Sequence, residues 1–397
     1  MMEEKTNNNE QKPKKPRANR ILIIVSIFVG VLLGILIDQV PFIARIFDMK
    51  IWELALMCLG VIGIYLFEIA LHEAGHLIFG LISGYKFISY RFLSFMIVKK
   101  DDKLKFGLLS IPGTAGQCLM SPPEMKDGKI PVFLYNIGGV VLNLVSTVCI
   151  FVMMIIWKDI PILAGMLLFG GLSGLAMALL NGIPIKTDLV ANDGYNAISL
   201  AKDAEAVRSF YTQMKMNAEL AKGTRLRDMP SEWFYIPNSE GMKNSLIASM
   251  AVIMHARLMD EHRFYEAREL AIILLEGEGN IVGIHKGLLM SEKLFLDILF
   301  DKDPSEIIKA ISSPDVERFL KLQATSPSIK RINYALALLL HSDEEMANKA
   351  LLEFEKSAKH YPYRQEIDGE RELLAIIKEK YEEKSIKNAN FEEKTEQ

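Results

Sequence analysis

Cysteine is scarce in this chain: 397 residues hold only three, Cys58, Cys118 and Cys149. Three cannot build a disulfide framework, and no C-x-x-C pair is present to make a thiolate zinc site or a redox dithiol. All three lie in or beside apolar segments, where inert thiols packed as small hydrophobes are expected. A surplus of either charge is missing too. The chain has 46 Lys and Arg against 49 Asp and Glu, a formal net charge of −3, so nothing in the balance points to nucleic acid as a partner. Histidine is thin as well, and only two of the seven fall in the first half.

What is there looks ordinary only on average. The chain is 50% apolar and 24% charged, as a soluble protein would be, and at ~150 residues per domain its length suggests two or three domains. The charge, however, is unevenly spread. Residues 1–200 contain long runs with none, whereas residues 201–397 are dense in both signs. A membrane part joined to a water-soluble part is the expected organisation.

An apolar run of about 18 residues or more can cross a bilayer as a helix. The first candidate is 21–37, preceded by a basic leader, 1–20. The sequence after it offers no small-x-small cleavage site, so a retained span is expected rather than a signal peptide. A second runs from Ile51 to about Ser83, a third from Pro131 to Trp157, and a fourth from Ile160 to Ile185. Only Lys158-Asp159 separates the last two, which forces an antiparallel hairpin. Lys and Arg concentrate in the leader and in 84–130. With four spans those two segments share one side, which by the positive-inside tendency is the cytoplasm. Within 84–130, Phe87–Val98 and Leu104–Ser110 flank the polar Lys99-Lys-Asp-Asp-Lys103 and predict a β-hairpin lying at the membrane surface. A flexible segment, 111–117, follows it.

The second span contains Leu71-His72-Glu73-Ala-Gly-His76, an H-E-x-x-H pattern. In a helix, positions i and i+4 share a face, so both imidazoles can reach one zinc ion, with Glu73 beside them to take a proton from water. Glu68, His72, Glu73 and His76 are four ionisable groups within nine residues of a span. Each costs free energy there, ~2.5–3.5 kcal/mol on insertion scales for an acid at mid-span, and a bound cation supplies a reason for them. Glu68, one turn earlier, either supports a ligand or contacts another span. A catalytic zinc usually takes three protein ligands. No third histidine lies in this half; His255, His262, His285, His341 and His360 are scattered through the other. A carboxylate at the end of span four is left, and spacing does not choose between Asp188 and Asp193.

These motifs resemble the site-2 protease family of intramembrane zinc metalloproteases. That family joins H-E-x-x-H on one span to N-x-x-P…D-G on a later one. Here Asn181-Gly-Ile-Pro184 and Asp193-Gly194 look like the second motif, although the gap between Pro184 and Asp193 is longer than usual. The resemblance covers about 51–200. It implies that His72, His76 and Asp193 hold Zn²⁺ and that Glu73 is the catalytic base. It also implies that Gly139-Val-Val-Leu-Asn143 is a G-x-x-x-N-like motif, with Asn143 and Asn181 in substrate binding or site geometry. The hairpin with Gly116-Gln117 corresponds to a membrane-associated β-loop that takes the substrate as an added strand. The expected activity is hydrolysis of peptide bonds in or near the transmembrane segments or leader peptides of membrane proteins. The chain would then be integral to the lipid bilayer of a bacterial cytoplasmic membrane, with both termini in the cytoplasm.

From about Leu200 the pattern becomes charged amphipathic helices: Asp203–Lys222, Gly241–Asp260, His262–Glu276, Pro304–Ser312, Ile332–His341 and Glu344–His360. Tyr265-Glu-Ala267 and Ala350…Phe354…Pro362 resemble fragments of tetratricopeptide helix pairs, though their spacing is not a multiple of ~34. A mainly α protein is therefore expected: a four-span membrane domain over 21–200, a helical cytoplasmic domain over 201–381 able to take a protein partner, and a charged flexible tail over 382–397. A non-catalytic membrane anchor that recruits partners is the alternative reading, and an ion transporter a more distant one.

Overall fold

The computed structural model describes residues 48–100, 103–110, 114–185, 192–200 and 203–395. They form a mainly helical protein with one small antiparallel sheet. Among the described residues, three helices are long and apolar enough to cross a membrane: α1 (Ile51–Ile82), α2 (Val132–Ile156) and α3 (Pro161–Gly182). They match the second to fourth predicted spans to within a few residues. The predicted first span and the basic leader lie outside the described residues.

Local chemistry sets these ends. Pro161 occupies the first turn of α3, where its missing N–H costs nothing. At the other end Ile183, which precedes Pro184, is extended, as the proline ring demands of its neighbour. The three helices pack against one another through small residues. A Cβ on Gly75 of α1 would collide with the backbone of Gly138 in α2, and one on Gly174 of α3 would meet the Glu68 carboxylate. Large apolar side chains such as Leu59, Phe67, Val148 and Ile155 point outward and are exposed. Cys58 and Cys149 share that outer surface, so only Cys118 is a buried thiol.

Between α1 and α2 lie β1 (Lys86–Phe92), β2 (Phe95–Lys100), β3 (Lys103–Leu108) and β4 (Gly116–Ser121), in the order β3-β2-β1-β4. The predicted hairpin is thus part of a four-stranded sheet. The polar Lys99–Lys103 segment does connect two strands, β2 and β3. The predicted first strand, however, is cut in two at Leu93-Ser94, where Phe92 pairs with Phe95 and Leu93 has a φ of 53°. No glycine or asparagine marks that reversal, so the turn was not legible. The predicted flexible segment ends in β4, which pairs along β1.

The remaining described residues are mainly helical: α4 (Asp193–Leu200), α5 (Ala204–Lys222), α6 (Ser245–Asp260), α7 (Phe264–Glu276), α8 (Gly283–Leu299), α9 (Pro304–Ile311), α10 (Pro314–Leu322), α11 (Pro327–Ala335), α12 (Glu344–Ala358) and α13 (Arg364–Thr395). Asp203 caps α5 through the backbone N–H groups of Glu205 and Ala206, and proline opens α9, α10 and α11. Phe295, Leu296, Ile332, Phe354 and Ile367 are fully buried in one core. The sequence reading did not anticipate α4, α8, α10 or α13. The tail expected to be flexible from 382 continues as helix to Thr395. α5 packs on the sheet. At the β3 edge the Leu108 N–H donates to the His360 carbonyl, so the later helices also abut the sheet.

Candidate metal centre

Helical spacing sets His72 and His76 on one face of α1, where both are buried. α2 approaches that face closely because it presents Gly138 and Gly139; a Cβ on Gly139 would lie 2.6 Å from the His72 ring. Asp193 is the first residue of α4. Its neighbour Asn192 holds it there. The Asn192 Nδ2 donates to the carbonyls of Leu180 and Ile183, and its Oδ1 accepts from the N–H groups of Ile185 and Tyr195. One amide therefore binds the end of α3 to the start of α4. Gly194 completes the approach, since a Cβ there would collide with the Gly182 carbonyl.

The result is a cluster of three oxygen and nitrogen ligand atoms within 4.8 Å of one another. Asp193 Oδ2 lies 2.9 Å from His72 Nε2 and 3.4 Å from His76 Nε2, and the two Nε2 atoms are 3.2 Å apart. Two ligands at ~2.05 Å from a tetrahedral zinc are about 3.3 Å apart.

The protons in this cluster can be assigned from its surroundings. The Asn143 Nδ2 donates to the Glu68 carbonyl and to Glu68 Oε2, at 3.0 and 2.6 Å. Its Oδ1 is then an acceptor, and the His72 Nδ1, 2.6 Å away, must donate. The His76 Nδ1 faces the Tyr135 carbonyl at 2.8 Å, which can only accept, so it donates too. In neutral imidazoles the remaining Nε2 atoms carry lone pairs. Two such lone pairs and a carboxylate oxygen converge with no hydrogen among them. That arrangement calls for a cation, or for a proton on one ring. Two imidazoles and a carboxylate are a donor set that suits zinc, and buried partners on both Nδ1 atoms are what metal-ligating histidines ordinarily have.

Glu68, for which the sequence left two roles open, is fully buried and belongs to this support. It accepts from Asn143 and, at 2.6 Å, from the Ser146 hydroxyl. A continuous path runs from α1 through Asn143 of α2 back to His72. Asn143 is itself fully buried with both ends of its amide engaged, so it holds site geometry and does not face outward. Asn181 donates to the Met177 carbonyl of its own helix and is not part of the cluster.

Glu73 lies beside the histidines under β4. A Cβ on Gly116 would sit 2.5 Å from Glu73 Oε1, so only glycine lets the strand pass this close. Gln117 follows along β4 and lines a cleft of about 870 Å³ between the sheet and the later helices. The sheet is fastened over the cluster by Tyr90, whose hydroxyl donates to the Ala70 carbonyl of α1, and by Tyr135, which donates to the Cys118 carbonyl of β4.

Comparison with known protein families, characterised proteins and solved structures finds no match. Function has to be argued from the geometry.

Asp188, the competing carboxylate, lies outside the described residues, whereas Asp193 stands in the cluster. Two further residues escaped the sequence reading. Asn192 was the residue before an expected ligand, and its signal was that asparagine favours the position just ahead of a helix. Arg91, 1% exposed, reaches from β1 to the carbonyls of Leu93, Thr114 and Gly116 and fixes the start of β4 near Glu73. Nothing in the sequence pattern marked it. The five remaining histidines lie in the helical half.

Proposed function

We propose that the protein is an intramembrane zinc metalloprotease that cuts peptide bonds in or near the transmembrane segments or leader peptides of membrane proteins. One observation carries this reading: two imidazole lone pairs and a carboxylate converge beside a glutamate, beneath an edge strand and among three apolar helices. His72, His76 and Asp193 would hold the zinc. When bound, that ion supplies a Lewis acid that polarises a peptide carbonyl and acidifies water.

The chain's own residues do the rest. Glu73 takes a proton from the attacking water and delivers it to the leaving amine. Glu68, Asn143 and the Tyr135 carbonyl keep each imidazole turned with Nε2 inward. Among the described residues β4 pairs only with β1, so its other edge offers backbone N–H and C=O groups to an extended substrate. A transmembrane helix must unwind to be cut, and strand addition at Gly116-Gln117 satisfies the backbone groups this frees. Four spans, counting 21–37, put both termini and the helical half in the cytoplasm, where that half, read as a degenerate tetratricopeptide-like array, recruits a protein partner.

The test compares membrane proteomes of cells carrying wild-type protein or Glu73→Gln. Uncut segments should accumulate with the variant. Purified Glu73→Gln should retain about one zinc per chain, and His72→Ala should lose it. Cleavage by Glu73→Gln at the wild-type rate would sink the proposal. Identical proteomes from a protein without zinc would favour the non-catalytic anchor.

A further inference from the structure

A second polar site lies in the helical half, away from the histidine cluster. A cavity of about 440 Å³ opens between α6, α8, α11 and α13, within the size range of small-molecule sites, ~300–1,000 Å³. Arg331 of α11 reaches into it and is 1% exposed. Its Nε donates to Glu370 and its Nη2 to Glu292, each at 2.6 Å. Its Nη1 is buried with no hydrogen-bond partner among the described residues. Nε2 of His255, a residue 3% exposed, and Glu292 Oε2 are also unpartnered there. Buried polar atoms without a protein partner are uncommon in folded proteins.

The charges say which kind of ligand the cavity suits. Glu292, Glu366 and Glu370 all line the cavity. Arg331 is ion-paired with two of them. Glu366 accepts from the Tyr361 hydroxyl at 2.7 Å and has no cationic partner among the described residues. Arg225, at the rim, is taken up by Asp260 and Glu372. Three carboxylates therefore share one guanidinium, and positive charge is short. At the same time a guanidinium N–H lacks an acceptor. Burial also pushes the Glu366 carboxyl up to about 7 and the His255 ring down to about 4, as expected of groups short of counter-charge.

We propose that this cavity binds a small dipolar molecule of amino-acid size, its ammonium group among Glu292, Glu366 and Glu370 and its carboxylate on Arg331 Nη1. Ser326, Tyr361 and Glu366 line both this cavity and the cleft that borders Gln117. The binding itself does not depend on the protease reading.

The test uses the full chain in detergent micelles, titrated calorimetrically with each proteinogenic L-amino acid in turn. At least one should bind saturably, one per chain. Glu366→Gln, which keeps the bond from Tyr361, should weaken it about tenfold or more, the effect of ~1.4 kcal/mol. Ala256→Phe, which fills the cavity from its rim, should abolish it. On wild-type protein, the N-acetyl amide of the same amino acid lacks both charges and should not compete. No saturable binding by any amino acid, equal binding to both variants, or competition by the uncharged derivative would each overturn the proposal.

Discussion

The apolar half and the helical half are built inside out relative to each other. Around α1–α3 many large apolar side chains face outward, and the interior holds glycine, histidine, asparagine and a fully buried Glu68 alongside apolar residues such as Ile69, Ile150 and Leu168. In the helical half Phe295, Ile332 and Phe354 are buried, and the charges lie mostly at the surface. The difference teaches what each half is solvated by. Where the surroundings are as apolar as leucine, burying leucine stabilises nothing, and helices associate through close backbone contact and internal polar bonds. In water, burial of apolar area dominates. The exceptions in each half are its polar interiors. Those near His72 form a closed set of partners around a gap suited to a cation. Those near Arg331 leave donors and an acceptor unmet.

The sharpest way to break this comparison is at the glycines. Gly75→Val should drive α1 off α2 and abolish stable assembly in micelles. Gly63→Val, on the same helix with nothing near its Cβ position, should be silent in the same size-exclusion and melting measurements. Equal effects would mean that close helix approach does not hold the apolar half together. Next in size, Phe295→Ala should cost the helical half about 3–5 kcal/mol in chemical denaturation. Phe106→Ala on the exposed face of β3 should change stability by less than about 0.5 kcal/mol. A large effect of Phe106→Ala in lipid but not in detergent would show that this face is buried against the bilayer. Third, Asn143→Leu should weaken zinc binding about 10–100-fold by freeing the His72 ring, read by competition with a chromophoric chelator. Unchanged affinity would detach Glu68 and Asn143 from the metal site.

A further expected effect is on pH dependence. Burial raises the Glu366 carboxyl from 4.5 to about 7, with Glu370 and Asp260 adding repulsion and Tyr361 working against it. The folded protein therefore binds a proton that the unfolded chain has already lost, and stability falls as pH rises through that window. Glu366→Gln should remove this slope and stabilise the helical half by about 2 kcal/mol near pH 8, the full shift being discounted for cavity water. A melting profile with the same slope in wild type and variant would show that Glu366 is not the titrating group.

The parts of this protein that local rules govern were legible. The long apolar runs located α1, α2 and α3, the first despite Glu53, Glu68 and Glu73, because a bilayer-length helix needs about 18 or more mostly apolar residues. H-E-x-x-H set two imidazoles on one helical face because of the 3.6-residue period. Pro184 ended α3, and the charged periodic stretches located most of the later helices. What the local rules could not supply was every contact made across the chain. Asp193 joins His72 from 121 residues away through the bonds of Asn192, and spacing alone does not choose it over Asp188. The Leu93-Ser94 reversal carries no turn residues, and Arg91 looks in sequence like one more surface cation. Glu68 acquires its partners only once α2 lies against α1. The sequence by itself determined where the three long apolar helices and most of the later ones lie, and which residues could bind a metal. Only the tertiary structure decided which of them meet, because hydrogen-bond partners and close backbone approach depend on distances that composition and periodicity do not encode.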